Sequence, residues 1–169
     1  HGPVGYRDSS FFSDSERYSK IFSKADEQVK NRRLHEAFLK HYLDDLNQEV
    51  PFWAYVELLT ISDISNLYSI SESVIKDEVA KKMGMTMKDG SEFLGKFMHS
   101  MTIIRNLCAH GSRLYNRLFE QKPSLNKKEQ KLLRVHPNGT KDNSHLFGFI
   151  LIMRRLLTYE EFASMKNEI

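Results

Sequence analysis

The chain has 169 residues, 40% of them hydrophobic and 28% charged, with a formal net charge of +3. That is enough apolar material for a packed core, which excludes a disordered chain, and too little net charge to argue for nucleic acid by itself. One cysteine excludes an internal disulfide framework and points to a reducing, cytoplasmic setting.

The length predicts a single domain over residues 1–169. The longest apolar run, Leu146–Met153, is too short to cross a bilayer, so no membrane partner is expected. No charged-then-apolar leader opens the chain. It begins with His1 rather than Met, and the expectation is a C-terminal part of a longer protein.

Residues 1–12 carry Gly2, Pro3 and Gly5 and read as an irregular lead-in. Ser13-Asp14-Ser15-Glu16 is a helix-start cluster. Ile21, Phe22, Ala25, Val29, Leu34, Phe38 and Tyr42 follow near helical spacing, so one long helix is predicted over 14–43. Pro51 suits a first helical turn, and residues 52–59 are apolar nearly all round, which predicts a buried helix. Ser62 or Asp63 would cap a short helix through Tyr68, and Ser71-Glu72-Ser73 would open another that ends near Gly84.

The next helix is predicted over 89–109, with Phe93, Leu94, Phe97, Met98, Met101, Ile104 and Cys108 as its apolar stripe and Gly111 as the break. Residues 120–143 hold five lysines, Arg134, Pro123, Pro137 and the Asn138-Gly139 turn signal, and read as a basic, mostly irregular loop. Asp142-Asn143 would cap an apolar helix over 146–157, and Thr158 to Glu161 is a capping box for a last helix. No repeat and no alternating strand is visible. The expected fold class is all-α, a bundle of about five to seven helices.

Residues 105–117 concentrate the chemistry: three arginines, one histidine and two asparagines in thirteen positions. Guanidinium, imidazole and carboxamide at that density suit a phosphate ester. Asn106 and His110 lie one turn apart on a helix face, and an uninterrupted helix would add Arg113 and Arg117 to that stripe. Arg105 stands five residues before His110, well round the axis, so the two converge only if the helix distorts near Gly111 or a second chain supplies the other half. Histidine transfers protons near neutral pH, and arginine clamps phosphate through two hydrogen bonds. A ribose 2′-hydroxyl as internal nucleophile would restrict the substrate to RNA.

Arg105-Asn106-xxx-His110 matches the R-polar-xxx-H motif of HEPN-domain ribonucleases. The longer run of 105–117 resembles the "RN-x-CAH-x-SRL-[WY]-NR" signature of the Abi-like family, bacterial abortive-infection proteins of the AbiD/AbiF type. The opening Gly2 to Tyr6 resembles that family's "GP-x-GY" segment, and Pro51 to Tyr68 resembles its "P-x-W-xxx-E-xx-[ST]-xGxLS-x-LY" helix. The likeness runs through nearly the whole chain in order, and family members usually carry more sequence before the GP-x-GY segment. Where the family commonly has glycine this chain has Ser62 or Asp63, and where a second histidine often follows the first it has Gly111.

The resemblance implies an all-helical HEPN-like fold and a homodimer in which two R-polar-xxx-H motifs form one composite site. It implies RNA as partner, no cofactor and no metal. The implied activity is metal-independent endoribonuclease cleavage, leaving 2′,3′-cyclic phosphate ends, in antiphage abortive infection or as a toxin with an RNA or protein antitoxin. Carried over, the catalytic set is Arg105, Asn106 and His110, and Arg113, Asn116 and Arg117 join it as RNA-binding residues. The alternative is an RNA- or antitoxin-binding module of the same fold without turnover, and a third reading is a purely structural helical interaction domain.

Each of these residues has a plainer role to set beside the functional one. Arg113 and Arg117 could pair with Glu57, Asp63 or Glu120 and fasten helices together, and Glu57, in an apolar helix, would seek such a partner. Cys108 reads as a packed core thiol and Trp53 as core or an interface anchor. Lys127 and Lys128, with Lys131 and Arg134, would touch RNA backbone or simply face water. The seven histidines show no metal-ligand spacing.

Overall fold

The computed structural model describes residues 2–157 together with 160, 161 and 164. Among them there are eight α-helical segments, more than the five to seven expected, and no strand, so the chain is all-α. The chain divides into two compact units, His1–Val79 and Ala80–Ile169.

In the first unit, the lead-in forms two single 3-10 turns, Gly5–Arg7 and Ser9–Phe11, and contributes Tyr6 to the core. Asp14 caps α1 (Ser15–Arg32) by accepting the Arg17 N–H at 2.9 Å. Ile21, Phe22 and Ala25 are buried along one face. The expected single helix over 14–43 is broken: α1 stops at Arg32, α2 (Ala37–Lys40) restarts, and a π turn follows over His41–Asp45. The reason lies in the phase of the apolar stripe. Continued from Val29 at helical spacing, the core face would receive Arg32, Arg33 and Glu36, while Leu34 falls off it and is 85% exposed. A new segment with its own phase buries Leu39, and Arg33 donates to Asp44 across the break.

The segment over 52–59 is a second correction. It splits into α3 (Phe52–Tyr55) and a 3-10 turn over Val56–Leu58. One turn of helix aims one residue inward, and that residue is Tyr55, which is fully buried; Trp53 is 63% exposed and is not core, and Glu57 is also exposed. The next cap is Thr60 rather than Ser62 or Asp63. Thr60 accepts the Asp63 N–H at 3.1 Å and Asp63 accepts the Thr60 N–H at 3.0 Å, a reciprocal box that opens α4 (Ile61–Ile70). Asp63 also holds Lys24 of α1. α5 (Ser73–Lys82) ends two residues before Gly84, near the position the sequence predicts.

An aromatic cluster of Tyr6, Phe22 and Tyr55 lies beside one partly solvated ion pair. Both Arg7 Nη groups donate to Asp26 at 2.9 Å, and the guanidinium sits about 5 Å from the ring centroids of Tyr6 and Tyr55. Its Nε is buried and faces no acceptor. Tyr55 donates to Asp26 at 2.6 Å and Tyr6 donates to Val50 O at 2.7 Å. Burial pushes the Tyr6 phenol up to about 12. Burial also works against the Asp26 carboxylate, yet the hydrogen bonds from Arg7 and Tyr55 outweigh it and hold Asp26 below its ordinary range.

In the second unit, α6 (Gly90–Ala109) covers the predicted span, with Phe93 and Leu94 buried at its start. Residues 120–143 are mostly irregular, as expected. They contain one turn of helix, α7 (Lys127–Gln130), opened by an Asn126–Glu129 box. The Asn138-Gly139 signal is a real reversal: Val135 and Lys141 form an isolated bridge across it and Gly139 has φ 79°. Arg155 donates to the nearly buried Glu129 and lies 4.0 Å over the Phe93 ring. α8 (Leu146–Met153) is shorter than predicted, and its cap position is His145 rather than Asp142-Asn143. Asp142 instead accepts both the N–H and O–H of Ser144, which hold its carboxyl down to about 2. The Thr158 to Glu161 capping box begins on 158 and 159, outside the described residues.

Candidate functional site

α6 ends one residue before His110, and the local sequence explains how. His110 occupies the C-cap. The Gly111 N–H donates to Cys108 O at 3.0 Å and the Ser112 N–H to Leu107 O at 2.9 Å. That pair of bonds is the Schellman motif, whose residue after the cap must adopt positive φ; Gly111 has φ 63°. Position 111 is therefore where the backbone turns out of the helix, and glycine meets no steric cost there.

The chain then leaves the helix axis. The polar stripe extrapolated through Arg113 and Arg117 does not form, because both residues lie beyond the stop. A second reversal follows at 114–117, where the Arg117 N–H donates to Leu114 O at 3.3 Å and Asn116 takes φ 54° at the third turn position. Asparagine tolerates the left-handed region better than most residues. Beyond the turn the segment is pinned again. His145 Nδ1 lies 3.1 Å from Arg117 O, its Nε2 lies 3.8 Å from Asp142, and the Phe119 N–H donates to Ser144 O at 2.7 Å. Phe119 is buried against Phe149 at 4.7 Å between ring centroids. Residues 112–118 are thus a short surface loop fixed at both ends.

Most of the predicted site residues decorate this loop and the last turns of α6. Arg105, His110, Arg113, Asn116 and Arg117 are exposed and Asn106 is half-buried. Arg105 donates to the Asn106 side-chain oxygen at 3.3 Å. Asn106 and His110 share a helix face, about 6 Å apart along the axis. No hydrogen bond joins Arg105 to His110 among the described residues, in line with the five-residue spacing. Lys127 and Lys128 are exposed on α7, and no hydrogen bond or ion pair ties them to residues 105–117 among the described residues. Cys108 is exposed, which corrects its assignment to the core: the apolar stripe of α6 ends short of its last turn.

Within the second unit, no ion pair ties Arg113 or Arg117 to Glu120 or another carboxylate among the described residues. In the first unit Asp63 is engaged by Thr60 and Lys24, and Glu57 is an exposed side chain rather than a buried one. Electrostatically the site is a contest with a clear winner. The C-terminal end of α6 carries about half a negative charge and would repel a phosphate. Three guanidiniums within thirteen residues outweigh it.

The loop lies on open surface. Two cavities of this unit, of about 290 and 330 Å³, open along the first half of α6, where Glu92 lines one, His99 the other and Lys96 both. Two contributors escaped the sequence. His145, 28 positions away, fixes Arg117 through its main chain, and no local pattern signals such a contact. Tyr115 was visible only as one letter of a motif, and it is 81% exposed.

Among the described residues no cluster of three histidine, cysteine, aspartate or glutamate side chains is placed to hold a metal ion. No helix among them is long and apolar enough to cross a membrane. No curated protein and no solved structure matches the chain. The family model for Abi-like proteins does, over residues 2–116, which takes in the aromatic cluster of the first unit and the loop as far as Asn116. The chain belongs to the Abi-like protein family.

Proposed function

We propose that this Abi-like protein is a metal-independent endoribonuclease of the HEPN type, acting in bacterial abortive infection or as a toxin. One observation carries the proposal: the end of α6 presents Arg105 and His110 to solvent and the clamped loop after it presents Arg113 and Arg117, with no carboxylate of the same unit paired to any of the three arginines among the described residues. Exposed guanidiniums without a carboxylate beside them keep their paired N–H donors available for a phosphate.

His110 would take the proton from a ribose 2′-hydroxyl as that oxygen attacks phosphorus, or give one to the departing 5′-oxygen. Arg105 would hold the phosphate and stabilise its added charge, and Asn106, already hydrogen-bonded to Arg105, would keep the guanidinium aimed. The products are a 2′,3′-cyclic phosphate and a 5′-hydroxyl. A homodimer that joins two such motifs would supply the walls that a single open loop lacks. Arg113, Asn116 and Arg117 would hold flanking RNA, with Lys127 and Lys128 as more distant backbone contacts.

The test is cleavage of single-stranded RNA in EDTA by the wild type, His110→Ala and Arg105→Ala, with end-group analysis of the products. Equal cleavage by the histidine variant removes the proposal. A second reading has its own support: position 111, where a second histidine is common, is committed to the helix stop as Gly111. A non-catalytic RNA- or antitoxin-binding module would then show tight, salt-sensitive binding and no cleavage.

A further inference from the structure

On the footing of the RNA-directed role above, we propose that Tyr115 is the platform on which an unpaired base stacks, so that the site takes single-stranded rather than duplex RNA. Tyr115 is 81% exposed, the highest value among the exposed aromatic side chains described. An aromatic ring at the surface contributes nothing to folding by burial, and its face is free to meet a ligand.

The geometry supplies one. Tyr115 is the second residue of the 114–117 turn, at the outer tip of the reversal. The positive φ of Asn116 and the His145 contact to Arg117 O hold that tip in one shape. Arg113 and Arg117 stand two positions before and after Tyr115 in the chain, both exposed. An exposed ring on a turn that also carries two exposed arginines offers the two things an RNA strand needs: cations for phosphates and a flat apolar face for a base. Bases within an A-form duplex are stacked on each other and offer no free face, so the ring selects unpaired nucleotides. Because the loop is already clamped, little ordering cost falls on binding.

The experiment measures binding of a short fluorescein-labelled RNA carrying 2′-O-methyl groups, so that no cleavage intervenes. The oligomer is compared as a single strand, as a duplex and with abasic positions, against wild type, Tyr115→Ala and Tyr115→Trp. The expected result is a single-strand affinity about ten- to a hundredfold weaker for Tyr115→Ala and preserved for Tyr115→Trp. Duplex affinity stays unchanged, and the abasic oligomer erases the difference between wild type and Tyr115→Ala.

Equal single-strand affinity for wild type and Tyr115→Ala overturns the stacking assignment while leaving the ribonuclease proposal standing, provided that the wild type still cleaves RNA. So does an equal loss on all three oligomers. Loss of an oligomer on Tyr115→Ala, seen by light scattering, overturns it in favour of a subunit contact. A wild type that neither binds nor cleaves RNA fails at the earlier step, and both proposals fall together.

Discussion

Two arginine-rich places in this chain are built on opposite plans. Around Arg7, Asp26 takes two hydrogen bonds from the guanidinium and one from Tyr55, and two aromatic rings cover the cation. Around His110, Arg105 on the last turns of α6 and Arg113 and Arg117 on the loop after it are exposed, with no carboxylate partner in their own unit among the described residues. The first arrangement satisfies its charges internally, so its removal registers in stability. The second leaves them to solvent, so on the proposed function its removal should register in what the protein binds. A guanidinium is the same chemical group in both, and its neighbours decide which task it performs.

The comparison is sharpened first at His110. His110→Ala is expected to lower RNA cleavage by about 10²- to 10⁴-fold. The thermal unfolding midpoint stays at the wild-type value, because the side chain is exposed. A parallel fall in unfolding midpoint would break the contrast. Next comes Arg113→Ala with Arg117→Ala. Single-strand RNA affinity should fall at low salt, and the slope of log affinity against log salt should flatten by about 1.4, two phosphate contacts at roughly 0.7 each. An unchanged slope would mean that these arginines do not meet phosphate.

The opposite pattern is expected at Asp26. Asp26→Asn should destabilise the protein by about 2 kcal/mol in urea, between the values of exposed and buried pairs, because both partners remain partly solvated. RNA affinity per folded molecule should stay the same. The sign of the pH effect follows from the lowered carboxyl pKa: the pair's contribution is complete above the unfolded value near 3.9 and is lost as the pH falls through the lower folded value. The wild type should therefore lose stability on that acid limb more steeply than Asp26→Asn. The smallest effect is expected at Cys108. Its thiol should react with a soluble disulfide reagent without unfolding, and Cys108→Ala should change stability by less than about 0.5 kcal/mol.

Much of the helical layout was legible because the forces that set it are local. Asp14 as a cap and Gly84 and Gly111 as stops act over three to five residues, and the Asn138-Gly139 reversal needs only its own φ angles. Where prediction failed, the missing fact was a distant partner. The helix over 14–43 broke because its stripe lost phase with the core after Val29, which periodicity scored loosely does not register. Trp53 and Tyr55, two residues apart, look equally apolar in sequence, yet only Tyr55 meets Tyr6, Phe22 and Asp26.

The thirteen residues from 105 to 117 were the densest chemical signal in the chain, and the sequence over 2–116 was enough to show the Abi-like family. Only the tertiary structure decided that the helix stops at His110, that Arg113 and Arg117 lie on an exposed turn, that Tyr115 stands at its tip, and that His145 holds it from 28 positions away. The physical reason is range. Caps, turns and motif identity depend on neighbours within one helical turn, whereas exposure and the pairing of charges depend on which remote segment comes to rest beside each side chain.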